Sequence, residues 1–136
     1  MRLRCLAGVL ALCVAAVQAA PQGEANFDLG RKYRHGAGVA QDSERAFALI
    51  HSAARAGHPA AMFIVASMLA AGEGAPMDVA RARHWLEAAA AREYPEALQQ
   101  LAMNLRDGAH GYERDEARAA QLLRELAHAM KHRAHH

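Results

Sequence analysis

Nine histidines and three serines are the side chains of this chain best placed by type to do chemistry. His128, His132, His135 and His136 crowd the C-terminus, and His128 and His132 share one face of any helix there, being four apart. A histidine-rich terminus binds transition metals loosely. No cysteine lies nearby and no His-Glu-x-x-His run exists, so a closed zinc site lacks its ligands. Ser43, Ser52 and Ser67 all lie outside a nucleophile-elbow context. His51 and Ser52 are adjacent, so on a helix they point apart. His84 and Glu87 stand one turn apart, an ordinary surface pair unless a pocket and a nucleophile join it. Gly36-Ala37-Gly38 and Gly72-Glu73-Gly74 are not phosphate loops, since no Lys-Ser/Thr follows and no strand pattern precedes them. These residues name no catalytic group and no cofactor.

The elements that carry them follow a pattern that returns every 36 residues. Ala25, Phe27, Leu29, Gly30, Tyr33, Gly36, Gly38, Asp42 and Ala46 are answered by Ala61, Phe63, Val65, Ala66, Leu69, Gly72, Gly74, Asp78 and Ala82. A weaker third copy runs through Ala97, Leu101, Ala102, Leu105 and Gly108, then resumes one residue late at Asp115 and Ala119. A period of this length with two helical phases is the mark of a solenoid. The spacing predicts three helix pairs: 24–36 with 43–57, 60–71 with 79–92, and 95–108 with 116–131. The expected fold is therefore all-α, an α/α superhelix of about three helix-turn-helix repeats.

Within each unit the first helix places apolar or small residues at i, i+4, i+5 and i+8, which keeps one face inward. Gly30, Ala66 and Ala102 hold a position that is always small, as close approach of two helix backbones requires. Gly36, Gly38, Gly72, Gly74 and Gly108 end the first helices and form the turns. Asp42, Asp78 and Asp115 stand where the second helices begin, suited to accept orphan amide hydrogens at the positive end of the dipole. The second helices carry Ala46, Ile50 and Ala53; Ala82, Leu86 and Ala89; and Ala119, Leu123 and Leu126. Trp85, at the place of Leu49 one repeat earlier, reads as a packing residue. Pro59 and Pro95 open the next units, where a missing amide donor costs little.

The N-terminus reads as a targeting segment. Arg2 and Arg4 precede an apolar run from Leu6 to Val17, and Val17-Gln18-Ala19 offers small side chains to a signal peptidase. The expected organisation is a signal peptide over 1–19 cleaved near Ala19, a repeat domain over 20–131 with units at about 25–60, 61–96 and 97–131, and a histidine-rich tail over 132–136. The apolar run is shorter than the roughly 20 residues of a membrane span, so no membrane insertion is expected after cleavage. Both cysteines, Cys5 and Cys13, leave with the segment, and packing alone must hold the mature chain. Arg2 and Arg4 leave too, so 14 of the 16 basic residues remain against 14 acidic ones. That balance argues against a nucleic-acid partner, which depends on clustered positive charge.

Leu29-Gly30-x-x-Tyr33-x-x-Gly36-x-Gly38-Val39-x-x-Asp42-x-x-x-Ala46, continuing to Ala53-Ala54-x-x-Gly57-His58-x-x-Ala61, resembles the Sel1-like repeat, a relative of the tetratricopeptide repeat. The second unit departs at Ala66, Leu69, Ala75 and Glu93, and the third inserts His110-Gly111-Tyr112 and carries Arg118 in place of alanine. The resemblance implies a non-enzymatic adaptor of the bacterial periplasm or exterior that binds a partner protein or extended peptide on its concave side. A cysteine-rich branch of the family is associated with β-lactam binding or hydrolysis, but the intra-repeat cysteines of that branch are missing here. A metal-binding accessory protein using the histidine-rich tail, with His128 and His132 as its ligands, is the other alternative.

In such solenoids the first helix of each pair lines the concave side. Beside the buried seam the first unit shows Asp28, Arg31 and Lys32, and the third shows Gln100 and Asn104. The middle unit shows Ile64, Ser67 and Met68. Ile64 and Met68 are four apart and form either an apolar docking patch with a polar rim or an internally covered contact. Three repeats are near the minimum that stacks usefully, so self-association of exposed ends is a further expectation.

Overall fold

The computed structural model describes residues 22–135, and every described element is helical. The residues expected to form the targeting segment, with the expected cleavage point at Ala19, and His136 lie outside the described residues. Helix α1 is described over 22–35. It is followed by α2 (Ser43–Arg55), α3 (Pro59–Ala71), α4 (Val79–Ala91), α5 (Pro95–Asp107) and α6 (Glu116–Arg133). Each helix packs on its neighbours in the chain, α2 on α3, α3 on α4, α4 on α5 and α5 on α6. In α1, Gly23 lies against Ala56 while Gly30 lies against Leu49 and Ile50, so α1 runs antiparallel to α2. The chain is an all-α solenoid of three stacked helix-turn-helix repeats.

One aspartate per unit closes each hairpin. The side chains of Asp42, Asp78 and Asp115 accept from the amides of Arg45, Arg81 and Arg118 at 3.0, 3.0 and 2.9 Å, capping α2, α4 and α6. The backbone N–H groups of the same aspartates donate to the carbonyls of Tyr33, Leu69 and Leu105, in the last turn of the partner helix. One residue thus satisfies the start of one helix and ties it to the end of the other. Between units, His58 caps α3 through Nδ1, which accepts from the Ala61 amide at 3.2 Å, and Pro59 follows it. Arg92 spans two units by donating from Nη1 to the carbonyl of Gly57 at 2.9 Å.

The small position of the repeat sits where helices meet. Gly30 is buried, and a Cβ there would come 2.5 Å from Cγ1 of Ile50, so the first unit leaves no room for even a methyl. Ala66 and Ala102 are buried at the same place in the later units. Helix α3 lies between α2 and α4 and buries a wide arc comprising Ala61, Met62, Val65, Ala66, Met68 and Leu69. A helix covered on two sides has no polar stripe to spare. The full burial of Ile50 alone contributes about 1.5–3 kcal/mol.

The first and last described helices depart from the expected seam. Ala25 is exposed and Leu29 keeps 40% of its surface, whereas their counterparts Ala61, Val65, Ala97 and Leu101 are buried. No described helix precedes α1 to cover them. On α6 the buried leucine is Leu122, and Leu123 is 49% exposed. Leu123 occupies the place of the buried Leu86, but no described helix lies beyond α6 to cover it. Trp85 is half-buried, with the His51 and His84 rings edge-on at 5.6 Å and the His51 ring in turn stacked on Phe47.

Candidate interaction cleft

Two inter-repeat interfaces share an architecture and differ in what occupies it: an ion pair over a buried methionine in the first, an open cleft in the second. Between units one and two, Arg34 from the end of α1 reaches Glu73 in the α3–α4 turn, with Nε and Nη2 each donating at 2.9 Å to the two carboxylate oxygens. Met68 fills the floor and is fully buried. Phe47 lies beside the turn at Gly74. The Glu73 carboxyl is held below its usual range chiefly by the hydrogen bond from Arg34, and the guanidinium is raised by the same bond.

Thirty-six residues on, Ala70 replaces Arg34, Asn104 replaces Met68 and Arg83 replaces Phe47. Removing the long side chain and its partner leaves a cleft of about 330 Å³. Helix α3 supplies Phe63, Ser67 and Ala70; α4 supplies Val79 and Arg83; α5 supplies Gln100 and Asn104; the α5–α6 turn supplies His110 and Tyr112. Its size is at the lower end of small-ligand sites, which run from roughly 300 to 1,000 Å³.

The floor is a buried amide. Asn104 is 5% exposed, and its Oδ1 accepts from Nε2 of Gln100 at 3.0 Å and lies 3.1 Å from Nδ1 of His110. The extra residue in the third turn is what brings His110 here. His110 adopts φ 54, uncommon for a residue with a Cβ, between Gly108 at φ 65 and Gly111 at φ 77. Gly111 then packs on Val79 and Arg83, as Gly74 packs on Ser43 and Phe47 one repeat earlier. Tyr112 is buried under Arg83, whose guanidinium carbon lies 4.5 Å from the ring centroid. Burial pushes the Tyr112 phenol up from its usual pKa.

Of the expected binding residues, the structure brings Ser67, Gln100 and Asn104 together in the cleft. Met68 is corrected: it is fully buried, because α3 is covered by helices on both sides, and it is not available to a partner. Ile64 is partly buried against the same core. Of the two readings of this pair, docking patch or internally covered contact, the burial matches the internal contact. Asp28 and Lys32 are exposed on α1, away from the cleft, and Arg31 lies over the Phe27 ring at 5.6 Å. Phe63, Arg83, His110 and Tyr112 were not singled out as binding residues from the sequence. The signal for His110 and Tyr112 was the break of register at His110-Gly111-Tyr112, which reads in one dimension as decay of the repeat.

The remaining reactive side chains stand apart from the cleft. Ser52 accepts a hydrogen bond from Nδ2 of Asn26, and Glu87 is held by Arg118 rather than by His84. Burial, followed by Arg81 and Arg55, lowers the pKa of His51. His128 and His132 bring their Nε2 atoms to 3.2 Å on the exposed side of α6. Among the described residues no group of three or more His, Cys, Asp or Glu side chains is placed to hold a metal ion. Nor is any described helix long and apolar enough to cross a membrane.

The Sel1 repeat family matches residues 23–58, 59–94 and 95–129. With the stacked hairpins this places the chain in the Sel1 repeat family. Among solved structures, a Sel1 repeat protein from Oxalobacter formigenes superposes with a TM-score of 0.74 at 27% identity, over 76% of this chain and 41% of that one. The protein c5321, described as a protective antigen present in uropathogenic Escherichia coli strains displaying an SLR fold, gives 0.72 at 27% identity, over 78% of this chain and 22% of that one. The chain thus spans less than half the length of either. No curated protein matches it significantly.

Proposed function

We propose that this chain is a binding module that docks a segment of another protein in the cleft between its second and third repeats, acting as an adaptor rather than an enzyme. The observation that carries this reading is the contrast between the interfaces. The same architecture closes when Arg34, Met68 and Phe47 occupy it and opens when Ala70, Asn104 and Arg83 do. Apolar walls from Phe63 and Val79 around a hydrogen-bonded amide supply burial and orientation together. Membership of a helical-repeat family supports the same reading, since such folds present extended binding surfaces.

The proposed setting is the bacterial envelope or exterior, reached through the targeting segment over 1–19. N-terminal sequencing of the mature protein from the host's periplasm, with Ala20 as the first residue, is the expected result; an intact Met1 in that fraction would contradict export with cleavage. For the docking site, a photo-crosslinking side chain is introduced at Ser67, in the cleft, and at the exposed Glu44 as a control. Adducts with a host protein at position 67 and not at position 44 support the reading. Equal labelling at both, or none at 67, sinks it.

A further inference from the structure

The chemistry of the cleft identifies what it receives. Asn104 stands where the preceding interface holds a fully buried methionine, so this architecture accepts an apolar filler and here carries an amide instead. Burying an amide is unfavourable unless its groups are hydrogen-bonded. Its Oδ1 is satisfied by Gln100 and His110, and the His110 Nδ1 must carry a proton to donate to it. Its Nδ2 finds no acceptor among the described residues, yet it is not sealed away as a buried orphan, so this donor is accessible from the cleft.

Arg83 puts a positive charge on the wall of the cleft, and no carboxylate lines it. The Arg83 guanidinium is stacked on Tyr112, with no acidic side chain within ion-pair distance among the described residues. Among acids on the neighbouring elements, Glu73 pairs with Arg34, Glu87 with Arg118 and Asp107 with Arg106, while Glu113 is exposed in the α5–α6 turn and does not line the cleft. An amide donor below, an unpaired guanidinium on the α4 wall and apolar side chains from α3 and α4 beside it complement a short apolar stem that ends in an anion.

We propose that the cleft receives the carboxylate side chain of an acidic residue in an extended segment of a partner protein, with its methylenes against Phe63 and Val79 and its oxygens toward Asn104 Nδ2 and Arg83. This inference rests on the cleft being the docking site proposed above. Asn104 and Gln100 form the floor, and Arg83 selects for charge. Filling the floor with the residue used one repeat earlier closes the site without asking the fold for a new arrangement.

The test titrates the whole protein with a terminally blocked peptide, acetyl-Ala-Ala-Glu-Ala-Ala-amide, and with its Gln and Lys analogues. The side-chain amide signals of Asn104 and Gln100 are followed by NMR at millimolar peptide. The Glu peptide is expected to shift both signals, the Gln analogue to bind about fivefold more weakly for want of the charge-assisted bond, and the Lys analogue to shift neither. Asn104→Met should abolish the response with the helical circular dichroism unchanged, and Arg83→Gln should erase the preference for Glu over Gln. Equal binding of the Glu and Gln peptides would overturn the carboxylate preference while leaving a peptide site in the cleft. If no peptide shifts these signals while crosslinks at position 67 persist, the carboxylate pocket is wrong and docking stands. If both fail, both proposals fall.

Discussion

The turn glycines offer an internal measurement of repeat stacking. Gly38, Gly74 and Gly111 occupy equivalent places with nearly the same backbone, at φ 76, 72 and 77. They differ in what lies opposite. A Cβ on Gly38 would meet no described atom within 4 Å. On Gly74 it would overlap the Ser43 carbonyl oxygen and come 2.7 Å from its carbonyl carbon and 3.1 Å from Cβ of Phe47. On Gly111 it would stand 3.0 Å from Cγ1 of Val79, a side-chain atom at a longer distance than the backbone met at Gly74. Gly38→Ala should therefore cost only the left-handed conformation, about 1–2 kcal/mol. Gly74→Ala adds overpacking against backbone, a further 1–3 kcal/mol or so, for a total of about 2–5 kcal/mol. Gly111→Ala should fall between the two. With urea slopes of about 1–3 kcal/mol per molar, the midpoint for Gly74→Ala should drop well below that of Gly38→Ala when unfolding is followed by circular dichroism. Equal losses for Gly38→Ala and Gly74→Ala would refute the claim that the second unit's turn is pressed onto the first unit.

Three further outcomes follow from the contacts. Arg34→Ala should destabilise by about 1 kcal/mol, since the pair is bidentate but partly solvated; a double-mutant cycle with Glu73→Ala measures the coupling. The Glu73 carboxyl is lowered from its usual 4.5, so this stability is present above that value and fades as pH falls through the lower folded one; a pair contribution unchanged in acid would contradict the assignment. His51 is lowered from 6.5 by burial and by Arg81 and Arg55, so the folded state favours its neutral form. Stability is then lost as pH falls from 6.5 through the folded value, and His51→Phe should flatten the slope of the urea midpoint between about pH 8 and 5. Asp78→Ala should cost about 1 kcal/mol by removing the cap on α4, whereas Asp78→Asn should keep most of it; equal losses would place the effect elsewhere.

Much of the architecture could be read in one dimension because each signal is local. The 36-residue period, the aspartates at 42, 78 and 115, the prolines at 59 and 95 and the turn glycines each act on their own neighbours along the chain. The α2, α3, α4 and α5 boundaries accordingly lie within two residues of those the spacing implies. The site was only partly legible. Ser67, Gln100 and Asn104 were visible as polar residues beside the seam, but for Ile64 and Met68 the sequence left a docking patch and an internal contact both open. Period and polarity describe one helix at a time, and burial on α3 depends on how many helices cover it.

By itself, the amino-acid sequence determined the repeat, its hairpins and its family, because capping, helix periodicity and turn chemistry are set within a few residues. Only the packed structure decided which positions of the repeat are inside. Leu29 and Leu123 sit at seam positions and remain exposed because no described helix covers them, while Met68 is sealed because α3 has a helix on both sides. The cleft belongs to the same category. It exists because three side chains, 36 residues from their counterparts and on different helices, are together too small and too polar to fill a shared interface. That sum over separate elements is formed only when the hairpins stack.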